Sequence, residues 1–204
     1  MPYTIPSQYK HLISRQIIMH TFTTKRLLIR PLSTQDKALY SALYTNKKIM
    51  HYIGKPLTPS DAKIGFTRTL RLMHEKKPYF LTWVIIDNVT NQSIGLQTLI
   101  INKPKNTTSK SALSDVIPPE TGIVLALQAQ KKSLSTEALG ALMEYGFKQL
   151  KLSHINIRFC NENLSIKHLA KKLGFQFSLT NDLNNVCGIY KQQNWQQTII
   201  TKIL

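Results

Sequence analysis

The segment 130–135, which reads QKKSLS, has residue types suited to binding an anion. It follows the apolar run 121–127, which predicts a strand, and it precedes a long stretch with apolar residues at helical spacing. Backbone N–H groups at a helix N-terminus favour phosphate groups, and phosphate loops usually contain glycine. This segment has none. Either Lys131, Lys132 and the serines still hold an anionic cofactor, or the segment only connects a strand to a helix.

The histidines and cysteines offer less chemistry. The six histidines show no metal-ligand spacing, so we expect no metal site. The cysteines are Cys160 and Cys187. We favour two reduced thiols of a cytosolic protein over a disulfide, because disulfides are rare in reducing compartments.

The charge of the chain is strongly positive, with 27 Lys+Arg against 10 Asp+Glu and a formal net charge of +17. Such a charge attracts anions, which include nucleic acid, a ribosome, acidic lipid or a phosphorylated cofactor. The lysines are scattered along the chain, so charge alone is weak evidence for a nucleic-acid binder. No apolar run reaches the roughly 18 residues needed to span a bilayer, and the N-terminus lacks the pattern of a signal peptide. We therefore expect a cytoplasmic protein with no membrane partner.

The length of 204 residues suits one domain with extensions. We expect an N-terminal extension at 1–21, one domain at 22–190 and a C-terminal tail at 191–204. The polar segment 102–118 is bounded by prolines, and it is either a mobile surface loop or a loop that lines a substrate site.

The pattern of apolar residues predicts a mixed α/β (α+β) chain in the order β-α-α-α-β-β-β-α-β-α-β-β. The predicted strands cover 25–32, 79–87, 94–101, 121–127, 154–160, 175–177 and 186–190. The predicted helices follow Ser33, cover 46–52, begin at Thr58, follow the segment 130–135, and run from Asn163 to Gly174. The apolar positions of the third helix include Ile64, Leu70 and Met73, and those of the fourth are Leu139, Leu142, Met143, Phe147 and Leu150.

Four segments, in this order, resemble the GNAT superfamily of N-acetyltransferases, and within it the Rim-type branch, whose name-giving members acetylate ribosomal proteins at the N-terminal amine. These segments are 24–32 (TKRLLIRPL), 49–54 (IMHYIG), 136–139 (TEAL) and 163–175, which ends KLGF. The resemblance covers about residues 22–190. It implies a central mixed, mostly antiparallel twisted sheet flanked by helices, acetyl-CoA as co-substrate, and direct attack by an amine.

The resemblance also implies the site residues. Those expected to bind acetyl-CoA are Leu125, Ala126, Leu127, Gln130, Lys131, Lys132, Ser133, Leu134, Ser135, Thr136 and Asn163. Those expected to take part in catalysis are Glu120, Asn163 and Ser165. Glu120 matches the acidic residue that often opens the fourth strand in this branch. It is either the base that takes the proton of the amine or an exposed carboxylate at a strand end.

The chain departs from the family pattern at two places. The pyrophosphate loop Q/R-x-x-G-x-G/A falls on Gln130, Ser133 and Ser135, and the Rim-type branch often also has glycine at the position of Lys131. Three small positions are therefore Lys, Ser and Ser in this chain. The serine of the N-x-x-S motif falls at Ile166, and Ser165 is one residue early. A shift of one residue turns a side chain by about 100° around a helix, so Ser165 is a weak substitute.

Two functions follow from these observations. The first is an acetyl-CoA-dependent N-acetyltransferase acting on a primary amine of a protein N-terminus or a small molecule. The second is a catalytically impaired GNAT-fold binding module for an anionic partner such as the ribosome or RNA. The acceptor is not specified by these residues, and the chain is expected to be a monomer or homodimer.

Overall fold

The computed structural model describes residues 20–101, 103–104, 116–179 and 184–195. Almost all of the predicted N-terminal extension lies outside the described residues. The same holds for most of the segment 102–118 and for residues 196–204 of the predicted tail.

The helices and strands of the described ranges follow the predicted order. The strands are β1 (Phe22–Thr23), β2 (Leu27–Pro31), β3 (Phe80–Asp87), β4 (Ser93–Ile100), β5 (Lys103–Pro104), β6 (Val116–Ile117), β7 (Glu120–Leu125), β8 (His154–Cys160), β9 (Gln176–Leu179) and β10 (Asn185–Lys191). The α-helices are α1 (Lys37–Tyr44), α2 (Lys47–Met50), α3 (Pro59–Met73), α4 (Leu134–Lys148) and α5 (Leu164–Leu173). Short 3₁₀ turns cover Thr34–Asp36, Leu127–Ala129 and Gln192–Asn194. Compared with the prediction, β1 and the pair β5–β6 are additional.

One sheet organises the fold, in the order β1-β2-β3-β4-β7-β8-β10-β9. Its neighbouring strands pair antiparallel except for β7 and β8, which pair parallel. The predicted fold class, a mixed and mostly antiparallel sheet flanked by helices, is therefore confirmed. The parallel pair requires a crossover, and α4 provides it.

Helices cover both faces of this sheet because its strands alternate two sets of apolar side chains. Leu27, Ile29 and the adjacent strands pack with α4 and α5 in the larger core. Leu28, Val84 and neighbours pack with α1 and α3 on the opposite face. The predicted apolar face of α4 is confirmed at Leu139, Leu142, Met143 and Phe147, which are buried, whereas Leu150 lies beyond the end of the helix and is partly buried.

Two local predictions were wrong. The strand predicted at 121–127 ends at Leu125, because the chain turns into the 3₁₀ segment Leu127–Ala129. Ile64, predicted on the apolar face of α3, is 63% exposed. That helix buries Ala62 and Phe66 instead, which are four residues apart and share a face that Ile64 does not.

Gly95 in β4 pairs with Leu125, the last residue of β7. A Cβ atom added there would lie 2.5 Å from the backbone oxygen of Val124, which cannot move aside without disturbing the sheet. We expect Gly95→Ala to lower the free energy of unfolding by about 1–3 kcal/mol, the usual cost of overpacking. Urea denaturation measures this loss. Gly54→Ala is the control, because nothing lies within 4 Å of its added Cβ, and equal losses in both variants would contradict the prediction.

Candidate active site

The parallel strands β7 and β8 separate after a short contact. They pair only at Glu120 with Asn156 and at Thr121 with Ile157. Beyond this point β7 stays with β4 as far as Leu125, while β8 stays with β10. A cleft of about 330 Å³ opens along the diverging strands. Both strands lead at their carboxyl ends into the N-termini of helices, α4 and α5, where the helix dipole favours negative charge.

The walls of this cleft combine apolar and ionisable side chains. Tyr44 from the end of α1 contributes to the wall, as do Tyr52 and Ile53, which follow α2. Glu120 and Arg158 also line it, and Arg158 Nε lies 3.4 Å from Glu120 Oε2. Both side chains are partly exposed, so this pair stabilises the fold by only about 0–1 kcal/mol and leaves Glu120 accessible to another cation.

Tyr44 keeps its proton at neutral pH. Burial raises the pKa of its phenol well above the ordinary value, and the neighbouring Tyr40 raises it further. The hydroxyl of Tyr44 therefore remains a hydrogen-bond donor at the edge of the cleft. The sequence pattern counted Tyr44 only as an apolar residue of a helix, and only its place in the fold shows its role in the wall.

The loop between β7 and α4 adopts left-handed backbone without glycine. Lys131 has φ of 61° and Ser133 has φ of 59°. Such a conformation costs a non-glycine residue roughly 1–2 kcal/mol, so the two residues hold a strained turn. Both side chains are exposed, whereas Leu134 is buried in the core and anchors the start of the helix. Ser135 lies inside α4, so left-handed backbone occurs at two of the three substituted positions.

The other residues predicted to bind the cofactor differ in what they can offer. Gln130 donates its side-chain Nε2 to the backbone oxygen of Leu125 at 3.1 Å, which folds the loop back on the strand end. Ala126 donates its N–H to Ile94. Leu125 and Thr136 are buried. The polar groups that this segment can offer to a ligand are therefore its backbone groups and the side chains of Lys131, Lys132 and Ser133. Leu127 is exposed at the loop surface.

Asn163 and Ser165 occupy different places on α5. Asn163 lines the cleft, and its Oδ1 accepts a hydrogen bond from the N–H of Ile166 at 3.2 Å, which makes it the N-cap of the helix. Ile166 also lines the cleft. Ser165 is exposed and lies outside the lining residues. We therefore do not retain it among the residues proposed for catalysis.

Sequence reasoning missed Tyr44, Tyr52 and Arg158 as cleft residues. Tyr52 belongs to the segment IMHYIG that carried the family resemblance, which was the available signal. Arg158 lies inside a predicted strand, and only the pairing of β7 with β8 places it beside Glu120.

The described residues lack the features of a metal site and of a membrane-spanning helix. Among those residues, no group of three or more His, Cys, Asp or Glu side chains could hold a metal ion. No helix of the described chain has the length and apolar character needed to cross a membrane.

The mostly antiparallel sheet with one diverging parallel pair, β7 and β8, and a cleft beside that pair describes the class of α/β fold. The profile of the family described as Acetyltransferase (GNAT) domain matches residues 26–176. The chain therefore belongs to the GNAT acetyltransferase family.

Curated relatives and solved structures show the same likeness. The chain is 28% identical over 162 residues to "Uncharacterized N-acetyltransferase YnaD" of Bacillus subtilis (strain 168), covering 78% of this chain and 83% of the relative. It is 23% identical over 154 residues to "Uncharacterized N-acetyltransferase YoaA" of the same organism, covering 75% of this chain and 81% of the relative.

Two solved structures share the fold. The acetyltransferase from Agrobacterium tumefaciens str. C58 superposes with a TM-score of 0.67 at 18% identity, covering 93% of this chain and 96% of that one. The spermidine N-acetyltransferase from Vibrio cholerae, solved in complex with CoA and spermine, superposes with a TM-score of 0.65 at 21% identity, covering 83% of this chain and 98% of that one. At these identities the likeness concerns the fold.

Proposed function

We propose that this chain is an acetyl-CoA-dependent N-acetyltransferase of the Rim-type branch with a degenerate pyrophosphate loop, and that it acetylates a primary amine of a protein N-terminus or a small molecule. The observation that supports the proposal most strongly is the cleft between β7 and β8. It is lined by Glu120 at the start of β7 and by Val124 near the end of that strand, and the left-handed loop before α4 follows that strand in the chain.

The residues around the cleft fit acetyl-CoA. The pyrophosphate of the cofactor needs N–H groups and positive charge, which the first turn of α4 and the exposed Lys131, Lys132 and Ser133 offer. Ser133 makes no side-chain capping bond, so its hydroxyl is free to reach an oxyanion. Asn163, at the start of α5, would contact the pantetheine part along β8.

Glu120 is the proposed general base. Acetyl-CoA supplies an acetyl group activated as a thioester. The amine nitrogen of the acceptor forms a bond to the acetyl carbon, the carbon–sulfur bond breaks, and the sulfur leaves as CoA thiolate, which takes a proton from water. Glu120 takes the proton that the amine must lose. The protonated hydroxyl of Tyr44 can donate a hydrogen bond where negative charge develops.

The charge of the cleft narrows the class of acceptor. Among the described lining residues, Glu120 is the one carboxylate, and Arg158 lies beside it. Aromatic and apolar side chains, those of Tyr44, Tyr52 and Ile53, also line the cleft. A polyamine needs several carboxylates and would be repelled by Arg158 and by the net charge of +17. We therefore propose an acceptor with a single amine attached to an apolar or aromatic group.

Calorimetry with acetyl-CoA, followed by an assay of CoA release, tests this function. We expect saturable binding of acetyl-CoA, and we expect phenethylamine or a peptide with an apolar first residue to exceed spermidine at least about tenfold in kcat/KM, since tenfold corresponds to about 1.4 kcal/mol. Absence of heat at millimolar acetyl-CoA would contradict the enzyme function. Preference for spermidine would contradict only the acceptor class.

A second candidate function is a basic binding module for the ribosome or RNA, favoured by the net charge of +17. Filter binding with RNA at two salt concentrations tests it in the same preparation. Phosphate contacts make affinity fall steeply as salt rises. RNA binding that falls with salt, combined with no acetyl-CoA binding, would favour the module over the enzyme.

A further inference from the structure

Arg26, in the turn between β1 and β2, contacts two parts of the α4 N-terminus at once. Its Nε donates to Glu137 Oε2 at 2.6 Å, and Nη2 lies 2.6 Å from the same oxygen. Its Nη1 donates to the backbone oxygen of Lys132 at 3.1 Å. A single planar guanidinium therefore connects the helix to the loop that precedes it.

Glu137 provides a fixed point for this contact. Its carboxylate has no exposed surface and also accepts hydrogen bonds from Thr24 Oγ1 and from the backbone N–H of Arg26. A buried charge with several charge-assisted partners is held rigidly, because the loss of any partner leaves it poorly compensated. The guanidinium bound to it is consequently held in one orientation, and Nη1 is aimed at the loop.

The carbonyl that Arg26 contacts belongs to the residue between the two left-handed positions. Lys131 and Ser133, with φ of 61° and 59°, flank Lys132. In a trans peptide the N–H points away from the C=O. Fixing the Lys132 carbonyl toward Arg26 therefore turns the N–H of Ser133 away from Arg26 and keeps the peptide from rotating into a relaxed conformation.

We propose that Arg26 is a positioning residue that holds the glycine-free loop in the left-handed backbone required to bind the cofactor pyrophosphate. In a loop with glycine this backbone is accessible without steric cost. Here the cost at Lys131 and Ser133 is offset by the contact from Arg26, which lies about a hundred residues away in sequence. This inference rests on the proposed acetyl-CoA-dependent function, and it assigns no chemical step to Arg26.

The charge-conserving variant Arg26→Lys tests the proposal. A lysine can remain beside Glu137, but it lacks the planar fork that reaches both Glu137 and the Lys132 carbonyl. We expect the dissociation constant and KM for acetyl-CoA to rise about tenfold, while kcat at saturating acetyl-CoA stays within about twofold. Arg68→Lys, on the exposed side of α3, is the matched control and should leave both constants unchanged.

Glycine substitutions in the loop distinguish a positioning role of Arg26 from a general loss of structure. In the Lys131→Gly, Ser133→Gly background, adding Arg26→Lys should change the affinity for acetyl-CoA by no more than about twofold, because glycine adopts the backbone without a restraint. Arg26→Gln combined with Glu137→Gln, which leaves no buried charge unpaired, is the second variant in case Arg26→Lys folds poorly. Unchanged affinity in a folded Arg26 variant, or an equal loss from Arg26→Lys in the glycine background, would overturn the proposal.

Hydrogen exchange of the amides at 131–135 in the unliganded protein gives a measurement independent of catalysis. We expect faster exchange in Arg26→Lys than in Arg68→Lys, confined to that segment. If the wild-type chain does not bind acetyl-CoA, the proposed function fails, and exchange still decides whether Arg26 holds the loop. Equal exchange in both variants would overturn that role.

Discussion

We expect the Ser133→Glu variant to lose measurable acetyl-CoA binding, with an affinity at least about 100-fold below that of the wild-type chain, equivalent to about 2.7 kcal/mol. The exposed Ser133 caps α4 in the left-handed region, at the end of the loop proposed to hold the pyrophosphate. A carboxylate there would place negative charge against the phosphates and would occupy the positive end of the helix dipole itself. Calorimetry measures the affinity directly.

Ser60→Glu is the matched control for this loss. Ser60 is exposed in the first turn of α3, so the same substitution adds the same charge at a different helix N-terminus. A negative charge near the N-terminus of a helix is favourable, so we expect both variants to remain folded. Undiminished acetyl-CoA affinity in Ser133→Glu would show that the pyrophosphate does not bind at this loop.

The second large effect is expected for Glu120→Gln. We expect kcat to fall about 100-fold or more, the usual contribution of a general base, while the affinity for acetyl-CoA stays within about twofold. The amide of glutamine keeps the shape of the side chain beside Arg158 but cannot accept the proton of the amine. Steady-state rates of CoA release, measured with one monoamine acceptor, provide kcat and KM separately.

The pH dependence of this variant adds a second readout. An aliphatic amine has a pKa near 10.4, so raising the pH increases the neutral fraction without any base from the protein. The defect of Glu120→Gln should therefore shrink as the pH rises. Glu75→Gln, exposed beyond the end of α3, is the control and should keep wild-type rates. A kcat of Glu120→Gln equal to that of the control would remove Glu120 from the proposed role.

The fold could be predicted where the local sequence pattern of a residue agrees with its burial or backbone conformation in the folded chain. The helix of Leu139, Leu142 and Met143 has a regular apolar face, and all three residues are buried. Gly174 was expected to end the last helix, and it has φ of 90°. Ile64 was misassigned because a single apolar residue does not show which side of a helix faces the sheet.

Some residues of the candidate site could be named from the sequence, and others could not. Gln130, Lys131, Lys132 and Ser133 could be named from their position between a strand and a helix, because anion-binding loops depend on local order in the chain. Tyr44 and Arg158 could not, because their side chains reach the cleft only through packing of α1 and pairing of β8 with β7.

The sequence by itself determined the order of the elements, the helix that follows the loop, and the absence of glycine from that loop. Only the tertiary structure decided which contact stabilises the loop in the absence of glycine. Left-handed backbone at Lys131 and Ser133 is a local cost, but the contact that offsets it comes from Arg26, on a distant turn held by the buried Glu137. Local sequence reports the cost of a strained turn, whereas the compensating interaction exists only once the chain has folded.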